Sequence, residues 1–294
     1  MKTSRLILTY ILLTFVAALP AMAGPRTFVS GLGNDANPGT REQPKRTFAS
    51  ALTVTDPGGE VVVLDPAGFA SSTLTIDKSV SIVVPAGIFG GIRVTSGPAI
   101  TVAAGVGDTV VLRGLTLNNA GGFTEGILFQ SGRALHVENC IINGFTSGSG
   151  ISVHSSAGES ASLFVKDTIC RRNSVGINWN AGRGSLDHVR LEQNLYGLYA
   201  GRRVSIANSV ASGNTHGLFG FGGLLNIEAC LVANNVDSGI TSSSFAIVRV
   251  SNSTVTDNGI GLQNSSGTLL SRLNNTVQGN TVNKSGTIGS FAAD

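Results

Sequence analysis

The chain has 294 residues, 41% of them hydrophobic and only 13% charged, with 39 Gly and 22 Asn. That balance excludes a disordered chain, and the shortage of helix-forming residues excludes bundles and coiled coils. The net charge of +3 falls to +1 if Lys2 and Arg5 are lost with a leader. No Lys/Arg stripe compensates, so a nucleic-acid partner is excluded on electrostatic grounds.

In chain order, Lys2 and Arg5 flank the start of an apolar run, Leu6 to Leu19, and Ala21-Met22-Ala23 forms a small-x-small site before Gly24. Residues 1–23 read as a signal peptide. The run spans about 14 residues, short of the roughly 20 that a membrane-spanning helix needs, and no later segment approaches that length. A secreted or periplasmic protein without a membrane span after cleavage is expected. Residues 24–58 read as an N-terminal cap segment. Within it Thr47 is placed to cap a short helix, with Phe48 and Leu52 four residues apart on its apolar face.

From residue 59 to 294 a repeat dominates. Its unit is a period-two apolar stretch, an Asn, a second Asn six residues on, then Gly and an aliphatic residue, as in Val204-Ser205-Ile206-Ala207-Asn208, Asn214 and Gly217-Leu218. The second Asn recurs at 173, 194, 214, 235, 258 and 280, a period of about 22. The first column reads Asn139, Asp167, His188, Asn208, Ala229, Asn252 and Asn275, and the Gly column 126, 150, 176, 197, 217, 239 and 261. Period-two patterning means strand, and a unit too small to bury its own apolar face must stack on its neighbours. The prediction is an all-β parallel solenoid of about ten coils, three strands per coil, with side-chain amide ladders at the turns. Leucine-rich repeats share this period, and Leu112-Arg113-Gly114-Leu115-Thr116-Leu117-Asn118 fits their opening, but later units place Val, Ile, Ser, Ala and Cys where that repeat wants Leu.

With this repeat, and with Phe28-Val29-Ser30-Gly31-Leu32-Gly33-Asn34-Asp35, Asn37-Pro38-Gly39-Thr40, Pro44 and Thr47-Phe48 at its opening, the chain resembles the pectate-lyase-like superfamily of right-handed parallel β-helix proteins, in a non-enzymatic or uncharacterised bacterial branch. The resemblance implies a right-handed rod entered through a short capping helix. It implies little about activity, because the superfamily holds lyases, hydrolases, epimerases and non-catalytic binders. The acidic calcium cluster of its lyases and the Asn-Thr-Asp, Asp-Asp, Gly-His-Gly and Arg-Ile-Lys signatures of its hydrolases are not found, so no catalytic residue is assigned. His136, His154 and His216 lie in different columns without ligand spacing, and neither a metal nor a cofactor is expected. Cys140 and Cys230 share a column about four coils apart, at roughly 4.8 Å per coil too far for a disulfide, and Cys170 lies elsewhere in its coil.

Two sets of residues are candidates for ligand contact. The repeat register places Tyr199 and Phe219 outward in neighbouring coils beside Asn178, Thr241 and Gln263, an arrangement of aromatics and amides suited to pyranose rings. It also aligns Glu138, Lys166 and Asp187 in one outward column, with Arg190 nearby. Lys166 between two carboxylates favours an ion ladder over catalysis, since the ammonium lowers both carboxyl pKa values. The reading is therefore an exported, non-catalytic binder of a carbohydrate or another extended polymer. The alternatives are a polysaccharide lyase or glycoside hydrolase, and a structural or adhesive surface rod.

Overall fold

A computed structural model describes residues 24–122 and 125–292; the predicted signal peptide lies outside the described residues. Three parallel sheets run the length of a solenoid, with 12 strands in sheet A and 10 each in sheets B and C. At the usual strand spacing of about 4.8 Å, sheet A is roughly 50 Å long. One coil consists of a sheet A strand such as Arg203–Ala207, a short sheet B strand such as Val210–Ser212, and a sheet C strand such as His216–Phe221. Each pairs in parallel with its counterpart one coil on. About ten coils form, as the period predicts.

The two Asn columns serve different ends. The first lies at the A-to-B turn, where Asn139, Asp167, His188, Asn208, Ala229 and Asn252 all adopt left-handed backbone with φ between 47° and 53°. Short polar side chains tolerate that conformation best. The last expected member differs: Asn275 caps Ser253 N–H, and Asn274 is the residue facing Asn252. The final coil is offset by one position there.

The second column lies at the B-to-C turn and is buried. Asn194 donates from its backbone N and its Nδ2 to Asn214 Oδ1 at 2.9 and 3.0 Å, and Asn214 does the same to Asn235 at 3.1 and 3.0 Å. Each Nδ2 also reaches a carbonyl of the coil before, as Asn214 Nδ2 reaches Leu191 O at 2.9 Å. Every rung thus satisfies three backbone or amide groups that burial would otherwise leave unpaired. The Gly column follows from the same ladder. A Cβ on Gly197 would meet Gly217 O at 2.5 Å and the Asn214 amide at 3.2 Å, so the strand can cross the ladder only where no side chain intervenes.

Inward-facing Val, Ile and Leu from all three sheets form one continuous core, which includes Trp179 and the three free cysteines, all buried. At the N-terminus Arg26–Val29 pairs with the strand Gly59–Val63 and is the outermost strand of sheet A. Helix α1, Phe48–Val54, starts where expected: Thr47 Oγ1 accepts from Ser50 N, and Phe48 and Leu52 are buried, with the Phe48 ring 5.1 Å from that of Phe69.

Candidate functional site

Sheet C carries a cluster of rings on two adjacent coils. The strand Tyr196–Ala200 supplies Tyr196 and Tyr199, and His216–Phe221 supplies His216, Phe219 and Phe221. Register pairs Asn178 with Tyr199, Tyr199 with Phe219, Phe219 with Thr241 and Thr241 with Gln263, the column read from the repeat. Tyr199 and Phe219 stack at 5.5 Å and 10°, and Tyr196 and His216 at 4.6 Å and 17°. The two stacks are mutually perpendicular, 87° between Tyr196 and Tyr199. Tyr199 and Phe219 are half-buried, because each covers part of the other's face, while Phe221 is exposed. Burial, then the nearby Tyr196, pushes the Tyr199 hydroxyl pKa upward. His216 Nδ1 lies 3.0 Å from Ser238 Oγ and 3.1 Å from Asp237 Oδ2, which fixes the ring edge-in against the strand beyond. Asn178 Oδ1 accepts from Asn180 Nδ2 at 2.9 Å.

Sheet A carries a groove of about 470 Å³ across four successive strands, from Ser162–Lys166 to Leu224–Glu228. It forms where one outward column shrinks: Phe164 is followed by Ser185, Ser205 and Asn226 in paired positions. Phe164 walls one end, its ring stacked 4.8 Å from His136. Along one side stand Arg183 and Arg203, paired in register and both exposed.

Lys166 and Asp187 occupy the next outward position along the same strands as Phe164 and Ser185, beside the groove. The column Glu138, Lys166, Asp187 is in register, but the carboxylates take other partners. Glu138 accepts from Arg113 at 2.7 Å, since a guanidinium one coil away spans the gap with a planar fork. Asp187 accepts from Asn208 Nδ2 and His188 Nδ1, both at 2.9 Å. Those two hydrogen bonds, with a smaller attraction from Lys166, hold its carboxyl below the ordinary value. Arg190 belongs to sheet B and binds Glu192 at 2.7 Å. The six candidate residues therefore divide among sheet C (Asn178, Tyr199, Phe219), sheet A (Lys166, Asp187) and sheet B (Arg190). They do not form one site. Among the described residues, the Glu125 carboxyl is pushed upward by burial, with partial relief from His154.

No family model matches the sequence, and a search of curated proteins likewise finds no match. Among solved structures, pectate lyase Pel9A matches with a TM-score of 0.67 at 18% identity, over 92% of this chain and 81% of that one. A rhamnogalacturonan lyase matches with a TM-score of 0.52 at 13% identity, over 85% and 76%. The fold is the pectate-lyase-like parallel β-helix. At these identities the likeness concerns backbone alone.

Three ring residues of this β-helix escape a column reading. Tyr196 and His216 precede the repeat Gly, and strict alternation would turn them inward with Leu198 and Leu218. The bend over the Asn ladder breaks the alternation, so residues 196 and 199 both face out. Phe221 extends its strand by one residue beyond the neighbouring Tyr196–Ala200. Arg183 and Arg203 were legible in principle: they are twenty residues apart, as are Asn194 and Asn214.

Proposed function

We propose that this protein is an exported, right-handed β-helix, with residues 24–58 as its N-terminal cap, that binds a carbohydrate along one face without catalysing a reaction on it. The observation that carries the reading is the cluster of five rings on sheet C, flanked by Asn178 and Gln263; Thr241, expected on this face, is buried, with its hydroxyl bonded to Ser238 and Gln263. Edge-on and perpendicular rings beside amides offer apolar surface for sugar C–H groups and donors and acceptors for hydroxyls. A saccharide is chosen among extended polymers because two proteins that share the backbone, a pectate lyase and a rhamnogalacturonan lyase, are named for polysaccharides. Export rests on the leader sequence, and right-handedness on the strong preference of parallel crossover connections. The non-catalytic reading rests on Asp187, whose carboxyl the Asn208 and His188 hydrogen bonds hold below its ordinary value, and on Glu138, which the Arg113 guanidinium occupies.

A glycan array of the mature protein supplies the ligand, and binding is then measured for Tyr199→Ala and Phe219→Ala. Each is expected to weaken binding by about 0.5 to 1.5 kcal/mol, roughly two- to tenfold, with the fold retained and a modest drop in melting temperature as half of the ring stack is lost. Affinity unaltered in both variants would remove sheet C as the binding face. A reducing-end assay on every array hit separates binding from turnover; turnover would replace the non-catalytic reading and make Glu125 the first residue to substitute.

A further inference from the structure

We infer that the sheet A groove is a second ligand site, one that takes an anionic substituent of a saccharide, a carboxylate or a sulfate ester, between the guanidinium groups of Arg183 and Arg203. The two arginines are cross-strand partners in adjacent coils. Like charges directly opposite each other cost stability, and a fold normally separates them or inserts a carboxylate. Here no carboxylate is inserted: among the described residues no Asp or Glu reaches salt-bridge distance of either side chain. Neighbouring Arg202 shows the contrast, with its Nε 3.0 Å from Glu159 Oε1. A local rule broken without internal compensation is the mark of a group kept for an external partner.

The groove supplies room for that partner. Its volume of about 470 Å³ lies within the usual span of small-ligand sites. Ser185 and Ser205 form a floor of hydroxyls, Asn226 adds an amide at one end, and the Phe164 ring closes the other. Guanidinium groups on two in-register arginines match the oxygens of a carboxylate or sulfate with planar donor forks, which an ammonium lacks. Hydroxyls and an aromatic wall around a charged centre describe an anionic sugar unit better than a bare inorganic anion. That the anion is borne by a saccharide rests on the reading above; the two-guanidinium site stands apart from it, on a different sheet.

Binding is measured with a linear polyuronate, its fully methyl-esterified form and dextran sulfate, for the parent chain, Arg183→Gln, Arg203→Gln and the remote control Arg26→Gln. The parent is expected to bind an anionic polymer at least tenfold more tightly than the ester, and each groove variant to lose roughly tenfold of that affinity. Arg26→Gln should match the parent. Arg203→Lys should bind as weakly as Arg203→Gln if the planar fork is what the anion uses. Sensitivity of the polyuronate assigns a carboxylate, and sensitivity of dextran sulfate alone assigns a sulfate ester. No preference of the parent for either anionic polymer over the ester, or groove variants no different from the Arg26 control, would overturn the inference. Melting temperature gives an independent readout: both groove variants should be at least as stable as the parent because a repulsion is removed, whereas a structural role would show as a loss. Tyr199→Ala, measured in parallel, separates failure of this site from failure of the sheet C face.

Discussion

At the scale of single residues, the buried amide ladder is the feature most fully encoded in the sequence, because burial and hydrogen-bond satisfaction act on the same position in every coil. Asn214 is wholly buried and its Oδ1 is the acceptor for both Asn194 N and Asn194 Nδ2. Replacing Asn214 by Ala leaves the Asn194 backbone N–H without that acceptor and Leu191 O without one donor, at a cost of about 1 to 3 kcal/mol. Asn280 ends the ladder in a partly exposed position, and its amide turns to Asn283. Asn280 Oδ1 accepts from Asn258 N and Nδ2 as Asn214 does from Asn194. Because Asn280 is itself partly exposed, however, water takes the place of its amide in Asn280→Ala and the expected cost is less than half as much. Chemical denaturation of both variants checks the ordering; equal losses would mean that the inner rungs are solvated. The ring residues were harder to read. Tyr199 and Phe219 follow from the column, but Tyr196 and His216 depend on a backbone bend that no hydropathy pattern records.

At the scale of elements, the strands were legible from alternation and the turns only in part. Asn, Asp and His in the first column mark a left-handed residue, and the structure places one there in six successive coils. Ala229 is the member with no polar side chain to favour that conformation, at φ 50°. An L-residue with a Cβ pays for left-handed backbone unless its side chain bonds locally, so Ala229→Asn is expected to stabilise the protein by about 0.5 to 1 kcal/mol. A rise in melting temperature with unchanged fold is the measurement; no rise would mean that neighbouring coils, and not the turn residue, set this backbone. The ion ladder illustrates the opposite limit. Register put Glu138, Lys166 and Asp187 in line, yet exposed side chains choose partners by reach, and Arg113, His188 and Asn208 reached first.

At the scale of the whole molecule, one core runs through all coils, so groups buried in it couple stability to pH globally. Burial pushes the Cys140 thiol up to about 12 and Cys230 up to about 11, and drives Cys170 upward as well, with a smaller push from Cys140. In the unfolded chain each thiol ionises near pH 9. Below that pH folded and unfolded states both hold the proton, and the thiols cost nothing. Between about pH 9 and the folded values only the unfolded state releases it, so stability falls as pH rises, by up to about 1.4 kcal/mol per pH unit for each thiol. Tyrosines and lysines titrate over the same interval, which is why the comparison is with the Cys140→Ala, Cys170→Ala, Cys230→Ala triple variant. That variant should begin less stable at pH 8, having lost core volume, and should decline less steeply between pH 9 and 10.5. The folded parent at pH 8 should leave a thiol reagent unreacted and yield three groups once denatured without reductant. Parallel slopes for parent and variant, or prompt labelling of the folded chain, would show that the coils open locally around the cysteines and that the core does not behave as one body.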